Sequence, residues 1–250
     1  MGTLEGMRER SMNELITNTD FMQALYSLGE SSECTETLLK VITIMLDAHK
    51  GNKRESLCTI DTETGEYCLE HETTRDNIVT ASEDMKLFVA NHTDIVIIHT
   101  HPAVSWPSAQ DLLASYKFPC TYCLEVSPDG SFWKFKAYTH LRKKYLKKLW
   151  FQHCTAQTQL AEELINDSIT KEDFSLLYHR FFNQFRTWLG LFGIDLREMY
   201  YTESPMLDYS EELLNNMRSH YVENAVLTRE QYLVDKLVET TIKYEKSLKS

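Results

Sequence analysis

The stretch DIVIIHTHP, residues 94–102, decides how the middle of this chain folds. Up to Thr100 it is a nearly continuous β-branched run, which is typical of a strand covered on both faces. His99 and His101 stand two residues apart near its end, so both imidazoles leave the same face of a strand. Pro102 ends the strand because proline cannot donate a ladder hydrogen bond. The stretch therefore predicts a buried strand that presents two nitrogen ligands at its end.

A helix start follows at SAQD, residues 108–111. Ser108 is a favoured N-cap residue, and Asp111 falls in the first turn, where it offers an oxygen ligand. Two histidines and one carboxylate leave a fourth tetrahedral position for water, which is the layout of a catalytic zinc site. We therefore predict a zinc ion (Zn2+) bound by His99, His101 and Asp111. Taken alone, a His-x-His pair is often two surface histidines that bind no metal, and Ser-x-x-Asp is a common helix-capping pair.

The patterns on both sides of this stretch predict a mixed α/β domain up to about residue 140. Its predicted helices cover residues 20–28, 35–49, 82–91 and 108–116. Its predicted strands cover residues 55–61, 66–69, 94–100, 121–127 and 131–138, with a hairpin joining the first two and another joining the last two. Beyond the domain only helical periodicity remains, over residues 141–166, 171–192, 210–222 and 228–248. We expect an N-terminal extension over 1–34, an α/β domain over 35–140 and an all-helical C-terminal region over 141–250.

The net charge of −11 at pH 7 argues against sequence-independent binding of nucleic acid, because phosphate neutralisation requires a basic face. No apolar stretch is long enough for a secretory signal or a membrane span. The six cysteines are scattered, as free thiols of a reducing compartment are, so we expect a soluble, cytoplasmic protein. Cys120 and Cys123 stand three residues apart, a spacing that on a strand points them to opposite faces and disfavours a shared metal.

Aromatic residues at three- and four-residue spacing form a broad stripe along the helix predicted over 171–192. Such a stripe is typical of packing against neighbouring helices, and a surface for a partner protein is the alternative. No motif in the C-terminal region indicates a catalytic or metal-binding site.

The string His99-x-His101-Pro102-x5-Ser108-x2-Asp111 resembles the signature of the JAMM (MPN+, JAB-like) zinc metallopeptidases. This family includes deubiquitinating isopeptidases and smaller bacterial relatives. The resemblance implies a three-layer α/β domain around a curved mixed β-sheet. It also implies that the two histidines and the aspartate hold zinc and that the serine helps to stabilise the oxyanion.

The resemblance further implies a glutamate that acts as general base, at the start of the strand after the first long helix. Glu55 stands at that place. Zinc lowers the pKa of a bound water to about 7, and Glu55 would take the proton of this water and pass it to the departing amine. The implied reaction is hydrolysis of an amide bond in a protein or peptide, with an isopeptide bond at the tail of a ubiquitin-like protein as the expected target.

The resemblance covers about residues 35–138 and has two departures. The interval between His101 and Ser108 holds six residues, one fewer than the commonest family pattern. Only a short helix separates Asp111 from the strand at Thr121, which leaves no room for the insertion that chain-specific deubiquitinases use to grip a second ubiquitin. A minimal JAB-like domain therefore fits better than a chain-specific enzyme.

Three other functions stay open. A non-catalytic scaffold of the same fold would bind partner proteins, but such relatives usually lack one or more ligands. A nucleic-acid-associated protein of the RadC type shares a similar His-x-His-Pro motif, and the acidic net charge opposes it. An iron oxygenase would use two histidines and one carboxylate as a facial triad, although Glu55 and Ser108 would then have no role.

Overall fold

The structure is a computed structural model of the 250-residue chain. It describes residues 12–52, 55–71, 81–101, 107–139, 144–149, 170, 185–200, 239, 242–243 and 246–247. The helices are α1 (Met12–Ile16), α2 (Thr19–Tyr26), α3 (Ser32–Asn52), α4 (Glu83–Asn91) and α5 (Ala109–Lys117). The strands are β1 (Ser56–Asp61), β2 (Tyr67–His71), β3 (Ile95–Thr100), β4 (Tyr122–Val126), β5 (Phe132–Ala137) and β6 (Ile194–Tyr200).

The six strands form one mixed sheet in the order β2-β1-β3-β4-β5-β6, which does not close on itself. β1 pairs antiparallel with both β2 and β3, β3 pairs parallel with β4, and β4 pairs antiparallel with β5. The register sets one row of partners across four strands, which consists of Leu57, His99, Glu125 and Trp133. The predicted mixed α and β character and both predicted hairpins are confirmed.

One hydrophobic core lies between one face of this sheet and the helices α2 and α3. Cys58, Ile98 and Leu124 are register partners on that face, and all three are fully buried. Phe21 and Leu25 of α2 are equally buried in the same cluster. Each fully buried side chain of this kind contributes roughly 1.5–3 kcal/mol. Because side chains alternate along a strand, the histidines of β3 lie on the opposite face.

The chain divides into two compact units. One comprises Met7–Lys136 and Leu196–Pro205, and the other comprises Met1–Gly6, Ala137–Asp195 and Met206–Ser250. The first unit carries the core described above, which includes Leu15 and α2 from the predicted N-terminal extension. No described helix is both long enough and apolar enough to cross a bilayer.

The region predicted to be all helical, 141–250, lies mostly outside the described residues. Within them, residues 144–149 and 185–191 are helical, whereas β6 is a strand. The prediction that no strand follows residue 140 is therefore wrong at β6. Ile194 and Leu196 are both buried there, in the alternation expected of a strand.

The turn between β1 and β2 is held by the carboxylate of Asp61. Its Oδ1 accepts hydrogen bonds from the amides of Glu63 and Thr64, each 2.8 Å long. The Gly65 amide donates to the carbonyl of Asp61 at 2.9 Å, and Gly65 adopts φ +71°, which glycine reaches without strain. Burial would raise the pKa of the Asp61 carboxyl, but the two amide hydrogen bonds outweigh it and hold the pKa below its usual value.

We expect Asp61→Ala to lower the free energy of unfolding by roughly 1–2 kcal/mol at pH 7, because the amides of Glu63 and Thr64 lose their acceptor. A carboxyl whose pKa is depressed by folding stabilises the protein above its unfolded pKa of about 3.9, and this contribution is lost as pH falls through the folded pKa. Urea denaturation at pH 7 and at pH 3 measures both effects. Glu63→Ala, which removes an exposed carboxylate from the same turn, is the control. An Asp61→Ala deficit that is equally large at both pH values would contradict the role of the ionised carboxylate.

Candidate metal centre

The end of β3 carries the two histidines that the sequence singles out. All six residues of β3 are buried, and His99 is 8% exposed. His101 follows the strand directly, and its amide donates to the carbonyl of Val126 at 3.3 Å, which continues the pairing with β4. Both imidazoles therefore lie on the face of the sheet opposite the one that packs against α2 and α3.

Asp111 is positioned by the first turn of α5. Ser108 is the N-cap of this helix, and its Oγ accepts hydrogen bonds from the amides of Gln110 at 3.2 Å and Asp111 at 3.3 Å. In return, Asp111 Oδ2 accepts a hydrogen bond of 2.7 Å from the Ser108 amide. This reciprocal capping box confirms the predicted helix start and fixes the direction of the Asp111 carboxylate.

The three predicted ligands converge on one point. His99 Nε2 and His101 Nε2 lie 3.1 Å apart. Asp111 Oδ1 lies 3.5 Å from His99 Nε2, and Asp111 Oδ2 lies 3.2 Å from His101 Nε2. Zinc bonds of about 2.0–2.1 Å at tetrahedral angles separate neighbouring ligand atoms by about 3.3 Å. The spacing of these atoms therefore fits a single tetrahedral metal ion.

The protonation states of His101 and Asp111 also suit a bound cation. Burial lowers the pKa of the His101 imidazole, so the ring is neutral at pH 7 and has a lone pair to offer. Burial acts to raise the pKa of Asp111, but the charge of His99 and the hydrogen bonds to His101 and His99 outweigh it and hold the pKa well below its usual range. The aspartate is therefore ionised.

Glu125 is a further member of the group, and the sequence reasoning missed it. With His99, His101 and Asp111 it forms a set whose ligand atoms all lie within 4.8 Å of one another. It is fully buried in the middle of β4, and its Oε1 lies 3.1 Å from His101 Nδ1. Nδ1 is the ring nitrogen that does not face His99. Glu125 therefore lies behind the imidazole, close enough to orient the ring and leave Nε2 for a metal, although neither of its oxygens makes a hydrogen bond among the described residues.

The pKa of Glu125 is raised well above its usual value, first by burial and then by the negative charges of Asp111 and Glu55. A cation between the histidines would favour the ionised form. One sequence signal for this residue exists: a glutamate between Leu124 and Val126 interrupts an apolar strand, and glutamate is almost never fully buried unless it is paired.

Glu55, the predicted general base, comes directly before β1. Because Leu57 pairs with His99 in an antiparallel register, Glu55 falls opposite His101 on the same face. The Ser56 amide donates to Thr100 Oγ1 at 2.9 Å, which holds the strand ends together at this point. The electrostatic effect of Glu55 on Glu125 is a second sign that its carboxylate is close. The extended register and this electrostatic effect both indicate that Glu55 lies near the three predicted ligands.

Ser108 lies at the edge of the group through its capping contact with Asp111. Its hydroxyl oxygen serves as helix cap, and its hydrogen takes no part in that cap. Residues 102–106, which form the shortened part of the motif, lie outside the described residues. The effect of the shorter interval between His101 and Ser108 therefore stays a prediction.

We expect the chain, stripped of metal with a chelator, to bind one equivalent of zinc in isothermal titration calorimetry. His99→Ala and His101→Ala should each weaken zinc binding by more than the roughly 10–100-fold that loss of an outer hydrogen-bond partner costs. His92→Ala is the matched control, because His92 Nε2 also lies beside a carboxylate, 3.4 Å from Glu66, but outside this group. Equal zinc affinity in all three variants would rule out the site.

Two substitutions of Glu125 separate an orienting role from direct ligation. Glu125→Met removes the acceptor behind His101 and should weaken zinc binding by about 10–100-fold. Glu125→Gln keeps a carbonyl oxygen that can accept from Nδ1, so the loss should be several-fold smaller. Competition with a chromophoric chelator measures both. Equally large losses in the two variants would instead indicate that Glu125 is itself a ligand.

Comparison with known proteins adds no assignment to this geometry. No protein-family model matches the chain, and neither a curated protein nor a solved structure matches it significantly. The functional conclusion therefore depends on the arrangement of the residues themselves.

Proposed function

We propose that the chain is a zinc-dependent hydrolase of amide bonds that works as the JAMM (MPN+) metallopeptidases do. The proposal rests on one feature: the antiparallel register of β1 and β3, extended by two residues beyond the pair Leu57–His99, sets the acidic residue Glu55 opposite His101. His101 belongs to the group that also contains His99 and Asp111. A closed structural zinc site uses four protein ligands. The candidate fourth ligand, Glu125, lies beside His101 Nδ1, on the side of the ring away from His99. Three convergent ligands with a neighbouring base are what metal-assisted hydrolysis requires.

Each residue then has a distinct task. Zinc at this site would lower the pKa of a bound water to about 7 and polarise the scissile carbonyl. Glu55 accepts the proton from the attacking water and delivers it to the departing amine. The Ser108 hydroxyl donates a hydrogen bond to the developing oxyanion. Glu125 holds the His101 ring in the orientation that this geometry needs.

The proposed substrate is a protein or peptide, with an isopeptide bond at the tail of a ubiquitin-like protein as the target that the family resemblance supports. The open, mixed sheet agrees with a three-layer, MPN-like domain, which we include in the proposal. The short connection from Asp111 to β4 supports a minimal enzyme with no second ubiquitin-binding insertion. We further propose that the protein acts in the cytoplasm and that its C-terminal region binds a partner.

A mononuclear iron enzyme is the second candidate, because two histidines and one aspartate also form a facial triad. The placement of Glu55 favours hydrolysis over oxygen chemistry, since the triad itself needs no general base. Metal analysis of protein purified without added metal distinguishes the two candidates: zinc supports the hydrolase, and iron supports the oxygenase.

We expect Glu55→Gln to keep its zinc affinity within a few-fold and to lose about 100–10,000-fold in hydrolytic rate, because the base is removed and the ligands stay. Release of a fluorophore from the C-terminal amide of ubiquitin, and from short peptide amides, measures the rate. Glu63→Gln, in the exposed β1–β2 turn, is the control and should behave as wild type. Chelator-treated protein should be inactive and should recover on addition of zinc. A Glu55→Gln protein as active as wild type would refute the assignment of the base.

A further inference from the structure

A second cluster of reactive groups lies where α5 gives way to β4, and the proposed hydrolysis does not use it. Cys120 Sγ and Cys123 Sγ lie 3.6 Å apart. Lys136 Nζ lies 3.2 Å from Cys120 Sγ. The sequence argument that these cysteines point to opposite faces is wrong, because Cys120 precedes β4, which begins at Tyr122. Only Cys123 lies within the strand, where side chains alternate between the two faces of the sheet.

Lys136 is held in place by the end of α5. Its ammonium donates to the carbonyl of Ser115 at 2.8 Å and to the carbonyl of Phe118 at 3.2 Å. These contacts use two of its three donors and direct the charge at Cys120. The fixed cation stands beside one sulfur of the pair, so it distinguishes the two cysteines.

The surroundings make Cys120 the more acidic thiol. A hydrogen bond from Cys123 and the charge of Lys136 lower the pKa of Cys120 in spite of its burial. The pKa of Cys123 is raised by the same contact with Cys120 and by burial. A thiolate is therefore favoured on Cys120, with a protonated thiol beside it. This is the arrangement of an attacking and a resolving cysteine.

The other cysteines that the structure describes have the opposite character. Burial raises the pKa of Cys34 to about 11, and Cys58 is also buried with a raised pKa. Cys68 is the more exposed comparison, since it is only half-buried, yet burial and the charges of Glu70 and Asp84 raise its pKa as well. The more exposed cysteine, Cys68, and the more acidic cysteine, Cys120, are therefore different residues.

We propose that Cys120, Cys123 and Lys136 form a dithiol site that small hydroperoxides oxidise to a disulfide. The Cys120 thiolate attacks the hydroperoxide, the O–O bond breaks, and, with one proton taken up, a sulfenic acid and an alcohol form. The Cys123 thiol then attacks the Cys120 sulfur, an S–S bond forms, the S–O bond breaks, and one water leaves. In total two thiols and one hydroperoxide give one disulfide, one water and one alcohol, the alcohol being water when hydrogen peroxide is the oxidant.

The geometry restricts both the movement and the oxidant. The sulfurs must approach from 3.6 Å to about 2.05 Å, and Cys120 can make this shift because it belongs to the connection before β4 and not to the sheet. Cys120 is 8% exposed, so we expect it to react with a small hydroperoxide more readily than with a bulky disulfide reagent. This inference does not depend on the metal centre.

The test uses the full-length chain with the substitution Cys154→Ser. The protein is reduced, freed of metal and then treated with equimolar hydrogen peroxide. Free thiols are then alkylated, and the chain is cut with trypsin. The peptide 118–134 contains Cys120 and Cys123 and no other cysteine. We expect it to lose two hydrogens, to resist alkylation and to recover both thiols on reduction. In Cys123→Ser, dimedone should trap a sulfenic acid on Cys120, and in Cys120→Ser it should trap none on Cys123.

Lys136→Met should slow the oxidation of Cys120 by roughly tenfold at pH 7, because its thiolate loses the neighbouring cation. Lys134→Met is the matched control on the same strand. Lys134 Nζ lies 3.9 Å from the centre of the Tyr122 ring, so this substitution should leave the rate of Cys120 oxidation within about twofold of wild type.

Competitive alkylation of the wild-type chain provides a readout that needs no variant. Cys120 should react faster than Cys68 and should titrate below the ordinary thiol value of about 8.5. The proposal is overturned if Cys68 reacts as fast as Cys120, or if peroxide leaves peptide 118–134 fully reduced.

Discussion

The pairing register of β3 with its two neighbours is the constraint on which the rest of the structure depends. It places His99 between Leu57 and Glu125 on one face and Ile98 between Cys58 and Leu124 on the other. A slip of one residue would turn His99 into the core against α3 and turn Val96 and Ile98 out of it. The same register, extended by two residues, sets Glu55 opposite His101, so one set of backbone hydrogen bonds positions His99, Glu55 and Glu125. Asp111 is positioned separately, by α5.

The charges of the residues around His99 and His101 explain why a bound cation would be favourable. Three carboxylates, on Glu55, Asp111 and Glu125, gather around two imidazoles on a largely buried face. Burying like charges together is unfavourable unless a positive charge compensates them. Burial is the first cause of the raised pKa of Glu125, and the negative charges of Asp111 and Glu55 add to it. A divalent ion between the histidines would relieve this repulsion.

Much of this could be predicted from local sequence, and the failures have physical causes. His99 and His101 follow from strand alternation, and Asp111 follows from the capping chemistry of Ser108, because both rules act over a few residues. Glu125 and the approach of Cys120 to Lys136 depend on contacts between distant parts of the chain, which spacing does not encode. β6 was missed because its alternation is short, with Ile194 and Leu196 as its buried positions, and follows a long helical pattern.

The capping box of α5 has a consequence for how the centre would be filled. Asp111 is held by the Ser108 amide whether or not a cation is present, because the helix needs that carboxylate as its cap. The ligand set is thus preorganised by secondary structure, and metal entry need not be coupled to folding as it is in zinc fingers. Selection among cations would then be governed by coordination geometry and cellular supply, with little contribution from the ordering of the chain.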